Sequence, residues 1–186
     1  MRKKSRLGMA LVGVLLWPTM ALADEGSVEG LAWTCAGCHG PAGASPGRTI
    51  PTIAGLRPRH FSEALQRYRS GERSFYVMRI IAKGLSDAEI DALAKHYGAQ
   101  AFVPTATTGG GVTAMETAAC SACHGADGKG TDKGPRLAGQ PAEYLEIAMV
   151  DYRSGARKTS PEMAEAMRGL SPAALASLSR YFAAMR

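Results

Sequence analysis

The sequence predicts an all-α chain made of two tandem copies of one helical unit, and three observations carry that expectation. A five-residue motif, Cys35-Ala36-Gly37-Cys38-His39, recurs as Cys120-Ser121-Ala122-Cys123-His124 and uses every cysteine in the chain. The landmarks that follow each copy return in the same order at offsets of 84 or 85 residues. Apolar residues recur at helical spacing, and no convincing alternating strand appears.

The first residues set the compartment. Arg2, Lys3, Lys4 and Arg6 form a basic head, Leu7 to Trp17 is apolar, and Ala21-Leu22-Ala23 supplies a small-x-small cleavage pattern, so residues 1–23 are expected to be a cleaved secretory signal peptide and the mature chain periplasmic. The apolar run falls short of the ~20 residues that span a bilayer and runs into Pro18. Removing the leader takes four of the 22 Lys and Arg and leaves 18 against 16 Asp and Glu. The alkaline charge balance thus belongs mainly to the leader, and no basic stripe remains to indicate a nucleic-acid partner.

The repeat divides the rest. His39 to His124 and Met78 to Met163 are offsets of 85, whereas Pro51-Thr52-Ile53-Ala54-Gly55 matches Pro135-Arg136-Leu137-Ala138-Gly139 at 84, as Tyr68-Arg69-Ser70-Gly71 matches Tyr152-Arg153-Ser154-Gly155. A one-residue length difference in each of two loops accounts for the change, and such ordered agreement is internal duplication. Residues 24–103 form the first unit and 113–186 the second, each with nine Lys or Arg and eight Asp or Glu. Residues 104–112, uncharged and with three consecutive glycines, read as a flexible linker. A unit of about 80 residues is marginal on a side-chain core alone.

Helices are expected at Val28 to Cys38, Phe61 to Tyr68, Met115 to Cys123 and Ala142 to Tyr152. Ser86-Asp87-Ala88-Glu89 has the form of a capping box and is followed by Ile90, Leu93, Ala94 and Tyr97 on one helical face. Its copy opens at Ser171-Pro172, with proline at the first helical position, and repeats the stripe at Leu175, Leu178, Ser179 and Phe182. Gly40 to Gly55 and Gly125 to Gly139 are long loops, which a compact unit tolerates only for a reason such as wrapping a cofactor.

The Cys-x-x-Cys-His pattern reads as c-type haem attachment, one haem per unit: thiols three apart share a side of a helical turn, and the adjacent histidine reaches the iron. A zinc ribbon would hold its pairs ~15–20 residues apart rather than 85, and a thioredoxin-like pair would follow a strand. Cys35, Cys38, Cys120 and Cys123 are therefore the tethering residues, and His39 and His124 the proximal ligands. Each imidazole needs an acceptor at its other ring nitrogen, for which the carbonyls of Pro51 and Pro135 are candidates; the alternative for these prolines is a plain loop turn. His60 and His96 have no histidine counterparts and read as surface or packing residues. Met78 and Met163 each lie 39 residues after the motif histidine and seven before the Leu-Ser of the last helix, so they are assigned as sixth ligands. Met167 aligns with Ala82 and stays a core filler, as do Met115, Met149 and Met185. His/Met ligation raises the reduction potential and closes the iron to oxygen or peroxide. Tyr68, Arg69, Tyr152 and Arg153 carry two readings, donors to haem propionates or solvated residues at a helix end. Trp33 is expected to pack against a helix or a haem.

The attachment motifs, the PTIAG and PRLAG segments, the YRSG repeats, the paired methionines and the Leu-Ser-opened final helices together resemble the diheme class I c-type cytochromes of the c4 type. The resemblance implies two cytochrome c folds about an approximate twofold axis, two covalent haem c groups, and single-electron transfer between redox proteins of the periplasm or a membrane-bound oxidase or reductase, with no substrate chemistry of its own. The first half, through Cys35 to Gly40 and Arg79-Ile80-Ile81-Ala82-Lys83-Gly84, is also similar to the cytochrome subunit of flavocytochrome c sulfide dehydrogenase, which implies a flavoprotein as an alternative partner.

Overall fold

A computed structural model describes residues 27–104 and 114–186, with side chains from Thr117 in the second segment. The expected signal peptide and all of the expected linker except Pro104 lie outside the described residues. Eight helices follow in order among the described residues: α1 (Val28–His39), α2 (Pro58–Ser70), α3 (Tyr76–Lys83), α4 (Asp87–Gly98), α5 (Ala114–His124), α6 (Ala142–Ser154), α7 (Pro161–Arg168) and α8 (Pro172–Ala184). The second four repeat the first four, and no strand occurs among the described residues. Among those same residues, no helix is long and apolar enough to cross a membrane.

Local chemistry explains the helix boundaries. Ser86 accepts from the Glu89 amide while the Glu89 carboxylate accepts from the Ser86 amide, the reciprocal capping box expected at the start of α4. Ser171 caps α8 and Pro172 occupies its first turn. α2 and α6 both stop at a glycine in the left-handed region, Gly71 and Gly155, whose amides close onto Tyr68 and Tyr152 carbonyls. Two elements stand outside the expected set, although Ser160-Pro161 gives α7 the same cap and first-turn proline that open α8. α3 and α7 are only eight residues each, too short for apolar periodicity to distinguish from loop.

The cores form along the predicted stripes. Ile90, Leu93, Ala94 and Tyr97 of α4 are all buried, as are Leu175, Leu178, Ser179 and Phe182 of α8. In the first half α4 packs against α1 and α2, Phe61 stacks on Tyr97 at 5.6 Å, and the Tyr97 hydroxyl donates to the Ala32 carbonyl at 3.0 Å. The repeat mate of Tyr97 is Phe182, which fills the same position without that hydrogen bond. Each long loop returns to its last helix by a matched bond, Gly55 to the Tyr97 carbonyl and Gly139 to the Phe182 carbonyl.

The halves meet through these loops and the starts of α2 and α6. Gln140 donates to the Thr52 carbonyl at 2.7 Å and accepts from the Thr52 amide at 2.9 Å, both buried. Arg136 donates to the Ala54 carbonyl at 2.5 Å and lies 3.5 Å over the Phe102 ring. Burial lowers the Arg136 pKa to about 10, which leaves the guanidinium charged at neutral pH. The Tyr144 amide donates to the Arg48 carbonyl, and His60 Nε2 donates to the Thr131 carbonyl at 2.6 Å. His60 and Tyr144 are repeat mates, so the interface has an approximate twofold character with different chemistry on its two sides.

Replacing Gln140 with Leu strips both partners from the 1% exposed Thr52 backbone. Each orphaned group is expected to cost about 1–3 kcal/mol. A fall in the denaturant midpoint of the haem-loaded protein checks this, and an unchanged midpoint would contradict it.

Candidate functional site

Each candidate site is built where a helix runs into a long loop. The thiols of Cys35 and Cys38 lie in the last turn of α1 and those of Cys120 and Cys123 in the last turn of α5; all four are free. Burial raises the Cys35 and Cys120 thiols above the ordinary range, with the Tyr97 hydroxyl offsetting part of the rise at Cys35, so both remain protonated at neutral pH.

The helices end on His39, 8% exposed, and His124, 5% exposed. His39 Nδ1 stands 2.8 Å from the Pro51 carbonyl oxygen and His124 Nδ1 2.6 Å from that of Pro135. A carbonyl oxygen only accepts, so each Nδ1 carries the proton and each Nε2 presents a lone pair. Burial lowers the pKa of both imidazoles and the carbonyl bonds offset part of it, which leaves neutral rings suited to a metal. The matched prolines thus supply the acceptors that their positions led us to expect.

The loops that deliver those carbonyls share one scheme. The Gly43 carbonyl accepts from the Ile53 and Ala54 amides, and the Gly128 carbonyl accepts from the Leu137 and Ala138 amides. The extra residue of the first loop falls between these anchors. Gly43 has φ +78°, and a Cβ there would come within 2.9 Å of the Ala54 amide nitrogen and 2.8 Å of Tyr97. Gly134 is required for a different reason: a Cβ would stand 2.9 Å from His124 Nδ1.

Each loop is braced by the other half of the chain. Gln140 grips Thr52, the residue after Pro51, and thereby holds the acceptor of His39 from across the interface. His60 grips Thr131, whose hydroxyl donates to the Cys123 carbonyl at 2.5 Å. Sequence reasoning missed both braces. The repeat mate of Gln140 is Leu56 and that of His60 is Tyr144, so duplication offered no signal.

Met78 and Met163 sit on α3 and α7, both half-buried and on the inward side that they share with Ala82 and Met167 respectively. Met78 and Cys35 border the same apolar cluster of the first half. Met163 borders a cluster of Tyr152, Met167 and Leu175, Cys120 borders one of Leu145, Leu178 and Phe182, and Met149 and Leu170 adjoin both. A cleft of about 240 Å³ opens against Cys35 between α1, α3 and α4, lined among others by Leu31, Ile80, Ile81, Leu85 and Leu93. The larger depression, about 410 Å³, is a polar one around Glu63, Gln66 and Glu72 and holds none of these residues. Thiols beside an apolar cleft, neutral histidines with a free Nε2 and half-buried thioethers fit a covalent haem.

Charged residues refine the two readings of the YRSG repeats. Arg69 and Arg153 donate to the Leu85 and Leu170 carbonyls at 3.2 and 3.1 Å and so fasten the segments that open α4 and α8. Arg73 and Arg157 were not singled out from sequence, although they too stand 84 apart. Their guanidiniums lie 4.1 Å over Tyr68 and 4.6 Å over Tyr152. Both arginines face Tyr144, whose pKa burial would raise but which their charges bring below its ordinary value. Among the described residues neither arginine enters a salt bridge. Trp33, expected to pack against a helix or a haem, is 68% exposed.

The cytochrome c family model matches residues 110–185. A thiosulfate dehydrogenase electron acceptor of Stutzerimonas stutzeri is 33% identical over 86% of this chain and 82% of its own length. Cytochrome c4 of Azotobacter vinelandii is 30% identical over 74% of this chain and 76% of its own. The chain belongs to the diheme c-type cytochromes of the c4 type. The solved structure of reduced cytochrome c4 from Pseudomonas stutzeri covers 89% of this chain at a TM-score of 0.74 and 23% identity, and it carries the same all-α fold of two class I cytochrome domains. The cytochrome subunit of a sulfide dehydrogenase from Chlorobaculum tepidum is 36% identical over 91 residues, 49% of this chain and 82% of its own, and aligns with the first half. This cytochrome therefore carries haem c, its two Cys-x-x-Cys-His motifs accommodate two such groups, and it transfers electrons rather than transforming a substrate.

The Gly134 contact makes a specific expectation. Gly134→Ala drives a methyl group against His124 Nδ1 and is expected to alter the spectrum or potential of the second haem while leaving the first unchanged, at a stability cost of about 1–3 kcal/mol. A redox-titrated visible spectrum decides it, and an unperturbed second haem would contradict the steric argument.

Proposed function

We propose that the chain is a periplasmic diheme electron shuttle that accepts electrons from a dehydrogenase oxidising inorganic sulfur compounds and passes them to a membrane-bound oxidase or reductase. In this reading residues 24–103 and 113–186 are its two domains, residues 104–112 join them, and residues 1–23 direct export. The bound haem supplies one-electron chemistry at iron. Cys35 with Cys38, and Cys120 with Cys123, tether it. His39 and His124 would offer Nε2 to the iron, while the Pro51 and Pro135 carbonyls hold Nδ1–H and fix each ring plane. Met78 and Met163 would each offer a thioether to the iron, a ligand that favours the ferrous state. Arg73 and Arg157, unpaired with any carboxylate among the described residues, are suited to haem propionates.

The histidine geometry is the observation that carries the ligand assignment: a buried ring with one nitrogen committed to a carbonyl and the other left free. The donor assignment is supported by the relative whose name gives thiosulfate dehydrogenase as its source of electrons. A second reading, the cytochrome subunit of a sulfide-oxidising flavoenzyme, is favoured by the match of the first half to the Chlorobaculum tepidum subunit.

Mixing the oxidised holoprotein with thiosulfate and a thiosulfate dehydrogenase should produce the reduced spectrum within the enzyme's turnover time. Reduction only by sulfide with a flavoprotein, or stable co-purification with one, would transfer the assignment to the second reading.

Met78→Ala and Met163→Ala should each leave the haem covalently attached and lower the potential of one haem by more than about 59 mV, the one-electron equivalent of tenfold. An unchanged redox titration for either variant would remove that methionine from the ligand set.

A further inference from the structure

The two halves differ most on the helices that carry the methionines. On α3 the outward stripe holds Tyr76, Val77 and Ile80, with Phe75 at its cap; they are 73%, 49%, 54% and 64% exposed. Their counterparts at offset 85 are Pro161, Glu162, Glu165 and Ser160. α3 carries Arg79 and Lys83 and no acid, whereas α7 carries two acids and one base, Arg168 being paired with Glu165 at 2.6 Å. This contrast does not follow from the fold, since both helices turn a methionine inward at the same register. Tyr76 and Val77 in the first turn of α3, with Phe75 at its cap, set three exposed large apolar side chains side by side outside the cleft, an arrangement that a soluble surface ordinarily avoids. Ile80 belongs to the stripe and also lines the cleft beside Cys35, so a molecule seated on the stripe lies against the first haem site.

We propose that this face of α3 is the docking surface for a redox partner protein whose own face is apolar at its centre and carboxylate-bearing at its rim, and that the first half is thereby the partner-facing end of the chain. The inference rests on the shuttle reading. Apolar contact at the centre supplies affinity, while exposed Lys83 and half-buried Arg79, in no salt bridge among the described residues, favour acidic neighbours and the two glutamates of α7 disfavour the same partner on the second half. In the haem-loaded protein the first haem site would be the one that such a partner reaches.

The test variant is Phe75→Ser with Val77→Glu, which gives α3 the residues of α7. Serine at position 75 supplies the cap that Ser160 gives α7, where its hydroxyl accepts from the Met163 amide at 3.2 Å, so the helix is retained. The oxidised holoprotein is mixed with thiosulfate-reduced thiosulfate dehydrogenase at low salt. The double variant should be reduced ~tenfold or more slowly than the wild type, with haem content, both potentials and reduction by dithionite unchanged. The reciprocal variant, Ser160→Phe with Glu162→Val, should not be slowed. An unslowed Phe75/Val77 variant, or loss only in the second-half variant, overturns the proposal. So does a wild-type dimer in sedimentation that the Phe75/Val77 substitution dissociates, because the occupant is then a second copy. If that dehydrogenase does not reduce the wild type, the donor assignment fails and the face is read separately on a gold electrode coated with mixed methyl- and carboxylate-terminated thiols. There the wild type should adsorb in electroactive form and the double variant should lose coverage severalfold; equal coverage overturns the docking face independently of the donor.

Discussion

Everything else in each half of the molecule is arranged around one hydrogen bond, from the Nδ1 of a buried histidine to a proline carbonyl. It commits one ring nitrogen, fixes the plane of the imidazole and leaves the other nitrogen free for iron. Proline suits the acceptor position because it offers a carbonyl and has no amide of its own to satisfy. The glycine-rich loops exist to bring that carbonyl back to the helix end. In both halves a single glycine carbonyl, Gly43 or Gly128, accepts two amides just beyond the proline and pins the return.

The joining of the halves adds a constraint that neither possesses alone. Gln140 of the second half holds the backbone next to Pro51, and His60 of the first half holds the loop that leads to Pro135. The loop that carries each histidine's acceptor is thus held in part from the other half, although each is built by its own sequence unit. The paired arginines reinforce the link electrostatically: Arg73 and Arg157 come from different halves and face the same tyrosine. The two arginines are half-buried and enter no salt bridge among the described residues, so haem propionates would be anions of suitable charge for them. Duplication has otherwise been followed by divergence on the surface. α3 and α7 keep the inward methionine and differ outward.

The sequence by itself determined the helical class, the twofold repeat, the two Cys-x-x-Cys-His motifs, the proline acceptors of their histidines and the core stripes of α4 and α8. These are readable because each depends on spacing along the chain: a helical turn brings thiols three apart together, a stripe recurs every three or four residues, and duplication displays equal function at equal offset. Arg73 and Arg157 obeyed the same offset and went unnoticed because the neighbouring Arg69 and Arg153 drew the propionate reading, whereas the structure gives those two to the Leu85 and Leu170 carbonyls. Only the tertiary structure decided the rest: the eight-residue helices α3 and α7, the bracing of each loop by Gln140 or His60 from the other half, the exposure of Trp33 and the open apolar stripe on α3. Those features depend on which surfaces meet when two units close on each other, and contact between residues some 70 to 90 positions apart leaves no period in the chain.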